Sequence, residues 1–398
     1  METLTEAPVS DYDPFAPEVL ADVHHYDGLL REVAPVVYIE KYDFYAITRA
    51  EEVQKALRNW RVFSSTDRPF YEPNPFRTAA PLMQDPPDHT HTKSVMLRIF
   101  SAENMEKMQN HFEREAEALV DELMANGPIE VDAYKDVAAR YVLKIFPDIL
   151  GLPEQGRELL LTFGDAVFNV FGPHNDHYKK KMENGQPALE WVAANATRER
   201  QTEGGIGWQL YQAADEGIIT EEEALQLLVA VFGAGFDTTV FSIAGMLRAF
   251  ADNPDQWQLL RENPDLLSSA FEESTRYYAP SRYGGRVAMK DTELGGIRIP
   301  AGAKVFAMWL GAGRDARKWD NPDQFIINRP EPQSHLSFGF GIHTCAGQAV
   351  ARMEGRSILA ALLKRVGSID LVGEPRRAIN FQAFGHEYVP IRLNPISE

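Results

Sequence analysis

Apolar residues recur at three- and four-residue intervals along much of the chain, which is the spacing of helices that bury one face. Strand-like patterns are fewer. They occur in Val36–Thr48 and in Gly296–Phe306, where a Pro-Ala-Gly turn separates two short runs. The pattern therefore predicts a mainly helical protein with small β-sheets. The clearest helical segments are Ala102–Ala125, Thr220–Asn253, Pro264–Tyr278 and Gln348–Arg365. Two long segments, Ser64–Asp88 and Arg314–Ser337, are predicted to be irregular, and irregular segments of this length are often functional.

The segment Thr220–Asn253 is predicted to be one helix of about 50 Å, at 1.5 Å per residue. It opens with a capping box, Thr220-Glu-Glu-Glu223, and Pro254 follows its end. Its centre, Phe232-Gly-Ala-Gly-Phe-Asp-Thr-Thr239, is unfavourable for a helix. Each glycine costs about 1 kcal/mol there, and an unpaired aspartate in an apolar stretch costs more. Such departures occur at functional sites, and also where two helices cross closely.

No Gly/Ser linker, repeat or low-complexity stretch divides the 398 residues, which favours one domain over residues 1–398 with a loosely ordered segment at about 1–15. The first residues are acidic and lack the pattern of a signal peptide. The most apolar run, Leu225–Phe236, is too short to span a bilayer. We therefore expect a cytoplasmic, monomeric protein without a membrane contact. The net charge of −18 argues against a nucleic-acid partner, because phosphate binding requires a basic face.

Cys345 is the single cysteine, so the chain can form neither an internal disulfide nor a multi-cysteine metal site. It lies in Phe338-Gly-Phe-Gly-Ile-His-Thr-Cys-Ala-Gly347, where glycines allow tight turns and a close approach to a flat ligand. The helix predicted after this loop would direct the positive end of its dipole towards a thiolate. A lone cysteine is more often a small buried apolar residue, but this pattern favours an axial metal ligand.

The loop resembles the haem-binding signature of the cytochrome P-450 family, Phe-x-x-Gly-x-His-x-Cys-x-Gly, at Phe338, Gly341, His343, Cys345 and Gly347. The resemblance implies the P-450 fold, with haem b between the long central helix and this loop. It implies that Cys345 is the iron ligand, since a cysteine thiolate on haem iron favours O–O cleavage. It also implies that Phe338 and Gly339 contact the cofactor.

The centre of the long helix, Ala234-Gly-Phe-Asp-Thr-Thr239, resembles the oxygen-binding motif of the same family. Activation of O2 requires protons delivered to the reacting oxygen without water flooding the iron. We assign Thr238 as the hydroxyl at the oxygen and Asp237 as the acid that relays protons from solvent. Ala234 would contact the cofactor and, with Gly235, leave room for O2.

Two further motifs support the resemblance. Glu273 and Arg276 lie three residues apart on a predicted helix, and Arg329 follows later. Taken alone, Glu-x-x-Arg is usually a surface ion pair worth under ~0.5 kcal/mol. The resemblance implies instead a buried triad that fixes the loop carrying Cys345. The segment Asp85-Pro-Pro-Asp-His-Thr-His-Thr-Lys93 resembles the family's Asp-Pro-Pro-x-His-x-x-x-Arg, with lysine in place of arginine. Contacts to the haem propionates are implied for His89, Lys93, Arg286 and His343.

The resemblance extends over nearly the whole chain to bacterial para-methoxybenzoate O-demethylases, for instance in Val167-Phe-Asn-Val-Phe-Gly-Pro173. In that group, side chains matching Phe168 and Phe171 press on a small planar substrate. Two phenylalanines at this spacing on a helix are otherwise more often plain core. The further pocket positions that the resemblance implies are Val229, Ala230, Gly233, Ser281 and Gly284.

The carboxylate clamp of those enzymes is missing, because their arginine and Arg-Ser pair match Thr66, Val229 and Ala230 here. A buried carboxylate without partners is very costly. One alternative is a neutral ring, such as a methoxyphenol. The other is a new clamp from Arg68, Arg77 or Arg282.

The resulting hypothesis is a monooxygenase that converts a small methoxyarene to a phenol and formaldehyde, using O2. Electrons would come from NAD(P)H through a reductase and an iron–sulfur ferredoxin, because the chain has no flavin or nicotinamide fingerprint. Two alternatives are an H2O2-dependent peroxygenase and a non-catalytic haem-thiolate sensor; the Asp237–Thr238 pair favours O2. The basic residues that would dock a ferredoxin, unless they are ordinary surface charges, are Lys93, Arg98, Arg352 and Arg356.

Overall fold

A computed structural model describes residues 5–66, 70–73 and 80–396 of the chain. It is mainly helical with small sheets, which confirms the fold class predicted from the apolar spacing. The α-helices are α1 Pro17–Ala21, α2 Val23–Val33, α3 Ala50–Arg58, α4 Asp88–Ile99, α5 Ala102–Met124, α6 Arg140–Leu150, α7 Leu159–Asn169, α8 Asp176–Asn195, α9 Ile206–Asp215, α10 Glu221–Ala234, α11 Asp237–Asp252, α12 Pro254–Glu262, α13 Leu267–Tyr277, α14 Trp309–Ala312 and α15 Gln348–Arg365. The strands are β1 Val9–Ser10, β2 Val36–Ile39, β3 Phe44–Ile47, β4 Phe63–Ser64, β5 Ile129–Asp132, β6 Gly284–Ala288, β7 Thr292–Leu294, β8 Ile297–Ile299, β9 Lys304–Ala307, β10 Val366–Leu371, β11 Arg376–Arg377, β12 His386–Tyr388 and β13 Pro390–Pro395.

The largest sheet has the strand order β1-β2-β3-β9-β6-β4. Its centre is the predicted strand region, where β2 and β3 form an antiparallel pair with Val36 opposite Ile47. Strand β9 pairs in parallel with β3 and antiparallel with β6, whereas β8 pairs with β7. The two runs on either side of the Pro-Ala-Gly turn therefore belong to different sheets.

The N-terminal segment, which we expected to be loosely ordered, is attached to the body of the protein from residue 5 onwards. Strand β1 runs parallel to β2, and Thr5 forms an isolated bridge with Ile297. The Phe15 side chain is buried, and the Tyr12 hydroxyl donates to Asp27 at 2.8 Å. Backbone pairing and a buried aromatic ring therefore hold this segment in place.

The long central helix, predicted to be continuous, is interrupted at Gly235 and Phe236, so that α10 and α11 follow one another as separate helices. Hydroxyl groups bond to carbonyls one turn earlier at this break. Thr238 Oγ1 donates to the carbonyl oxygen of Ala234 at 2.7 Å, and Thr239 Oγ1 donates to that of Gly235 at 3.3 Å. Such side-chain bonds compete with the backbone ladder and bend helices. The glycines and hydroxyls that made the centre unfavourable as a helix therefore coincide with the interruption.

The same span, Glu221–Asp252, is long and apolar enough to cross a membrane by length and composition, contrary to the expectation from its most apolar run, Leu225–Phe236. However, 67% of its most apolar window is buried inside the protein. This burial fits a core segment of the protein.

Helix α15 begins after the Cys345 loop as predicted, and it packs closely against α13. A methyl group added at Gly355 in α15 would overlap the Phe271 ring of α13. The absence of a side chain at this position therefore sets how closely the two helices approach.

We predict that Gly355→Ala lowers the free energy of unfolding by about 1–3 kcal/mol, because the added methyl group overpacks the core. Urea denaturation would measure this change. Combining it with Phe271→Leu should recover part of the loss.

Gly28→Ala is the matched control, since Gly28 also lies in a helix but the nearest atom to an added methyl group is Arg31 Nη2, 3.7 Å away. Gly28→Ala should raise the free energy of unfolding by up to about 1 kcal/mol, because alanine has a higher helix propensity than glycine. Equal effects at Gly28 and Gly355 would contradict the packing explanation.

Candidate active site

A cavity of about 1020 Å³ lies between the α10–α11 break and the loop that precedes α15. Most of the residues singled out from the sequence line this one cavity. They are Lys93, Phe168, Phe171, Val229, Ala230, Gly233, Ala234, Thr238, Ser281, Gly284, Arg286, Phe338, Gly339, His343 and Cys345. Residues that lie more than 250 positions apart in sequence are thus brought to one space.

The loop backbone fixes where Cys345 enters this cavity. Gly339 and Gly341 have φ angles of +71° and +73°, in the left-handed region that other residues rarely adopt. A Cβ atom at Gly341 would also lie 2.6 Å from the carbonyl oxygen of Leu57. The loop closes on itself where the Cys345 N–H donates to the carbonyl oxygen of Phe338 at 2.8 Å. Glycine is therefore required at these two positions for the loop to present the thiol.

The Cys345 side chain is exposed, and the space it faces is the cavity. Burial away from bulk water raises the pKa of the thiol, while the backbone N–H groups of Gly347 and Gln348 and the ammonium of Lys93 act to lower that pKa. These donors would stabilise the sulfur once it is deprotonated, as it is when it binds a metal.

The predicted triad is formed in the interior. Arg276 Nε and Nη2 donate to the two Glu273 carboxylate oxygens at 2.7 and 2.8 Å, and Arg329 Nε donates to the same carboxylate at 3.0 Å. All three side chains are buried. Arg276 Nη1 also donates to the carbonyl oxygens of Gly313 and Pro322, at 2.6 and 2.9 Å. The triad therefore attaches the irregular segment before the cysteine loop to α13.

A second ion pair, which the sequence did not suggest, reaches closer to the cysteine loop. Glu272 accepts from Arg352 Nε at 2.5 Å and lies 3.2 Å from His335 Nε2. These partners outweigh burial and lower the pKa of Glu272 to about 2. Ser337 Oγ adds a bond to the carbonyl oxygen of Thr275 at 2.9 Å. Glu272 was indistinguishable in sequence from an ordinary helical surface carboxylate.

The imidazole of His343 and the guanidinium of Arg286 lie at one edge of the cavity, and the His89 ring packs against His343 without lining the cavity itself. The His89 and His343 rings lie 4.3 Å apart, and Nε2 of each is buried without a hydrogen-bond partner among the described residues. Burial and nearby cations lower the pKa of His89 to about 4 and that of His343 to about 2. Arg286 is also buried, and burial lowers its pKa to about 10.

These groups fit the acidic edge of a haem. Unsatisfied buried donors beside a cation are costly unless a ligand accepts from them. A pair of propionate carboxylates would accept from the orphaned Nε2 atoms and neutralise Arg286. With Cys345 facing the same cavity, the described residues match the donor set that a haem requires.

Lys93 lies inside the protein, which corrects our expectation that it contributes to a basic docking face. Its side chain is buried, and Nζ donates to the carbonyl oxygen of Thr344. Of the other three cations, Arg98 is exposed, Arg352 pairs with Glu272, and Arg356 donates to the carbonyl oxygen of Arg352.

Asp237 lies directly behind the cavity wall that carries Thr238, and its own side chain does not line the cavity. It is buried against Gly164 of α7, where an added methyl group would overlap the carboxylate. Burial, and then repulsion from the nearby Asp165 carboxylate, raise the pKa of Asp237 well above its usual range. Asp165 is partly exposed and pairs with Lys181 at 2.7 Å. A chain of titratable groups thus leads from the surface towards the cavity.

Glu354 of α15 is a further acid that the sequence did not suggest. It lines the cavity, and burial raises its pKa to about 8, an effect that a hydrogen bond with Thr239 partly opposes. One of its oxygens, Oε1, has no hydrogen-bond partner among the described residues. The one sequence signal for this role is the position of Glu354 in the helix that follows the cysteine loop, on turns that could face the cavity.

The two candidate wall residues Phe168 and Phe171 have ring centroids 6.3 Å apart. Phe168 belongs to α7, but Phe171 lies beyond the end of that helix, so the pair does not share a helical face as we expected. Phe171 also packs against Phe70 with centroids 4.4 Å apart. Gly284 makes room for the Trp309 ring, which an added methyl group there would overlap.

Arg282 is not a carboxylate clamp, which corrects one of our alternatives. Its side chain is fully buried and donates to the carbonyl oxygens of Pro14 and Phe381, at 3.0 and 3.2 Å. It does not line the cavity. The other two candidates, Arg68 and Arg77, lie outside the described residues.

Comparisons with known proteins agree with this geometry. A family model described as Cytochrome P450 matches residues 131–368. Cytochrome p450 CYP199A2 of Rhodopseudomonas palustris is 38% identical over 96% of this chain and 94% of its own length. Cytochrome P450 109 of Bacillus spizizenii is 30% identical over 92% and 91% of the two chains. The solved structure of P450BioI in complex with hexadec-9Z-enoic acid ligated acyl carrier protein is 28% identical with a TM-score of 0.84, covering 95% of this chain and all of that one. The expected fold is therefore confirmed.

We predict that Glu273→Gln lowers the free energy of unfolding by about 3–5 kcal/mol, because it leaves two buried guanidinium groups without their carboxylate. Denaturant titration would measure the loss, and the haem content of the purified protein should fall with it. Glu331→Gln makes the same change at an exposed position of the irregular segment that the triad attaches to α13, and it should change neither the free energy of unfolding nor the haem content. A Glu273→Gln protein as stable as the wild type would show that the triad does not anchor this segment.

Proposed function

The chain belongs to the cytochrome P450 family, and we propose that this monooxygenase oxidises a small substituted aromatic ring by O-demethylation of a methoxyarene. The family binds haem b and takes electrons from redox partners. When bound, haem b supplies the redox chemistry that activates O2. The main support for the proposal is that one cavity is lined by the Cys345 thiol, the Thr238 hydroxyl and the phenylalanines Phe168 and Phe171.

The residues that would hold the haem are those at the edge and floor of the cavity. Cys345 would be the iron ligand, supported by the backbone N–H groups of the loop. His89, Arg286 and His343 would receive the propionates, and the buried Nε2 atoms of the two histidines, which have no partner among the described residues, support this role. Lys93 would place a point charge beside the same loop, since its ammonium already contacts Thr344.

Thr238 and Asp237 would deliver protons to the reacting oxygen. The Thr238 hydroxyl faces the cavity and donates to the carbonyl of Ala234 at 2.7 Å, so a small rotation would redirect its proton inwards. Asp237 can supply protons from behind, because its raised pKa keeps the carboxyl protonated to higher pH than an exposed aspartate. Asp165 and Lys181 would return those protons from solvent.

The substrate class is supported by the walls of the cavity. Phe168 and Phe171 form an aromatic surface in the same cavity that Gly233 lines without adding side-chain bulk. Such a space suits a planar ring. One oxygen atom of O2 enters a methyl C–H bond and the other leaves as water, with two electrons and two protons consumed. The resulting hemiacetal collapses to a phenol and formaldehyde.

Electrons would reach this site from NAD(P)H through a reductase and an iron–sulfur ferredoxin. Arg98 is exposed, and Arg352 and Arg356 of α15 are partly exposed, so we infer that these three residues would contribute to the docking of an acidic ferredoxin. We place the enzyme in the cytoplasm as a monomer, where reducing conditions keep its single thiol free.

We predict that the protein, supplied with NADH, a reductase and a ferredoxin, releases formaldehyde and phenol in equal amounts from a methoxyarene. Peroxide alone should support much slower turnover, since the Asp237–Thr238 pair serves O2. Product analysis under both conditions would measure this. Faster turnover with peroxide would favour a peroxygenase, and binding of methoxyarenes without any product would favour a sensor.

We predict that Asp237→Asn lowers kcat by about 10²–10³-fold through loss of proton delivery, with substrate affinity unchanged. It should also raise the free energy of unfolding at pH 7, because burial raises the pKa of Asp237 in the folded protein and ionisation there is costly. The difference should shrink as pH falls towards the unfolded-state value of about 3.9, where the carboxyl is protonated in both states. Steady-state kinetics and urea titrations at several pH values would measure both effects.

Asp11→Asn is the control for this substitution, since Asp11 is exposed. It should change neither kcat nor the pH dependence of stability. Unchanged kcat in Asp237→Asn would exclude this residue from the proton path.

A further inference from the structure

We propose that the Ser281 hydroxyl, held in place by Gln382, binds an uncharged oxygen substituent on the ring of the substrate. This inference rests on the proposed function and narrows its substrate class to methoxyarenes with a second neutral oxygen, such as methoxyphenols. Both residues line the cavity that contains Cys345. Ser281 was a pocket candidate from the sequence, whereas Gln382 was not.

Gln382 has only one orientation that fits its surroundings. Its side-chain amide lies 2.6 Å from the carbonyl oxygen of Tyr283 and 2.8 Å from Ser281 Oγ. A backbone carbonyl can only accept, so the amide atom at that position must be the nitrogen, Nε2. The same nitrogen carries a second proton, which it donates to Ser281 Oγ. Gln382 is 3% exposed, so water does not compete for these bonds.

This arrangement determines what the Ser281 hydroxyl can do. Because Oγ accepts from Gln382, its own proton is directed elsewhere, and no described residue accepts it. The backbone around it is fixed as well. The Ser281 carbonyl accepts from Trp309 Nε1 at 2.9 Å, and Ser281 forms an isolated bridge with Ala383. The hydroxyl is therefore a fixed polar group with a free proton and a free lone pair.

The position of the pair matches a ring held by the aromatic wall. Ala383, next to Gln382, packs in a small cluster with Phe168 and Phe171. The Trp309 ring that bonds to Ser281 fills the space that Gly284 leaves open. A ring against the phenylalanines would therefore place an edge substituent near the Ser281 hydroxyl.

The charges around the cavity favour a neutral substituent. Three cationic residues among the described lining residues are engaged elsewhere. Lys93 contacts Thr344, Arg198 pairs with Asp215 and Glu221 at 2.9 and 3.1 Å, and Arg286 lies at the propionate edge. A carboxylate beside Ser281 would therefore lose its hydration without gaining a cation, which is very costly. A neutral hydroxyl or carbonyl oxygen needs only the one hydrogen bond that Ser281 offers.

Binding titrations that follow the Soret band of the holoenzyme would test this. The ligands are the three methoxyphenol isomers, each compared with the methoxytoluene of the same substitution pattern. Wild-type protein should bind at least one methoxyphenol about tenfold more tightly than its methyl counterpart. Ser281→Ala should abolish that preference and leave the affinity for the methoxytoluene within about twofold.

Gln382→Leu tests the positioning role, because it keeps the volume and removes the amide that orients Ser281. It should reduce the preference while leaving the hydroxyl present. Gln226→Leu makes the same change at another wall of the cavity, where Gln226 bonds to Glu222, and it should keep the full preference.

Three results would overturn the inference: an undiminished preference in Ser281→Ala, no preference in the wild type for any isomer, or tighter binding of methoxybenzoates than of methoxyphenols. In each of these cases methoxyarene O-demethylation would still stand. If none of the methoxyarenes, charged or neutral, shifted the Soret band or released formaldehyde, the proposed function itself would fail.

Discussion

The position of the Cys345 sulfur is set by backbone geometry, and the rest of the site depends on that position. Two left-handed glycines turn the loop, a hydrogen bond to the Phe338 carbonyl closes it, and α15 starts directly after it. The sulfur faces an internal cavity and is approached by backbone N–H groups. A thiol in this setting is kept from bulk water yet is provided with donors for its anionic form. Few other roles for a solitary cysteine require such a loop.

The buried carboxylates around the cavity fall into two groups, those with a cationic partner and those without one. Near the cysteine loop, Glu273 is compensated by two arginines and Glu272 by Arg352 and His335, whereas Glu354 of α15 has no ion pair among the described residues. Behind the α10–α11 break, Asp237 is buried without an ion pair among the described residues, and a second carboxylate lies nearby. Compensated charges give a rigid scaffold, whereas an uncompensated acid stores a proton at a cost in stability. This difference separates the carboxylates of the scaffold from the two uncompensated acids, Asp237 and Glu354, that lie next to or in the cavity wall.

The elements with strong local signals could be predicted from the sequence. Helix α15 has the predicted limits, and α5 differs from its prediction by one residue, because periodicity and flanking residues define them. The break between α10 and α11 could not be placed, since it depends on hydroxyls bonding to carbonyls and on packing against α7. The cysteine motif could be recognised as that of a known family, because its glycines lie at positions where the backbone needs a left-handed conformation.

Contacts between distant segments that no family motif marks were beyond sequence reasoning. Arg282 was a candidate for a carboxylate clamp, yet it donates to the carbonyl oxygens of Pro14 and Phe381, far away in the chain. Glu272 and Gln382 carry no local pattern that distinguishes them from surface residues, and only tertiary structure gives them partners.

The central claim is that the Cys345 thiolate binds haem iron, and the absorption spectrum of the ferrous carbon monoxide complex tests it most directly. Thiolate ligation predicts a Soret maximum at ~450 nm in the wild type and its loss in Cys345→Ser. A wild-type protein that incorporates no haem, or whose carbon monoxide complex lacks that maximum while the fold is intact, would contradict the account.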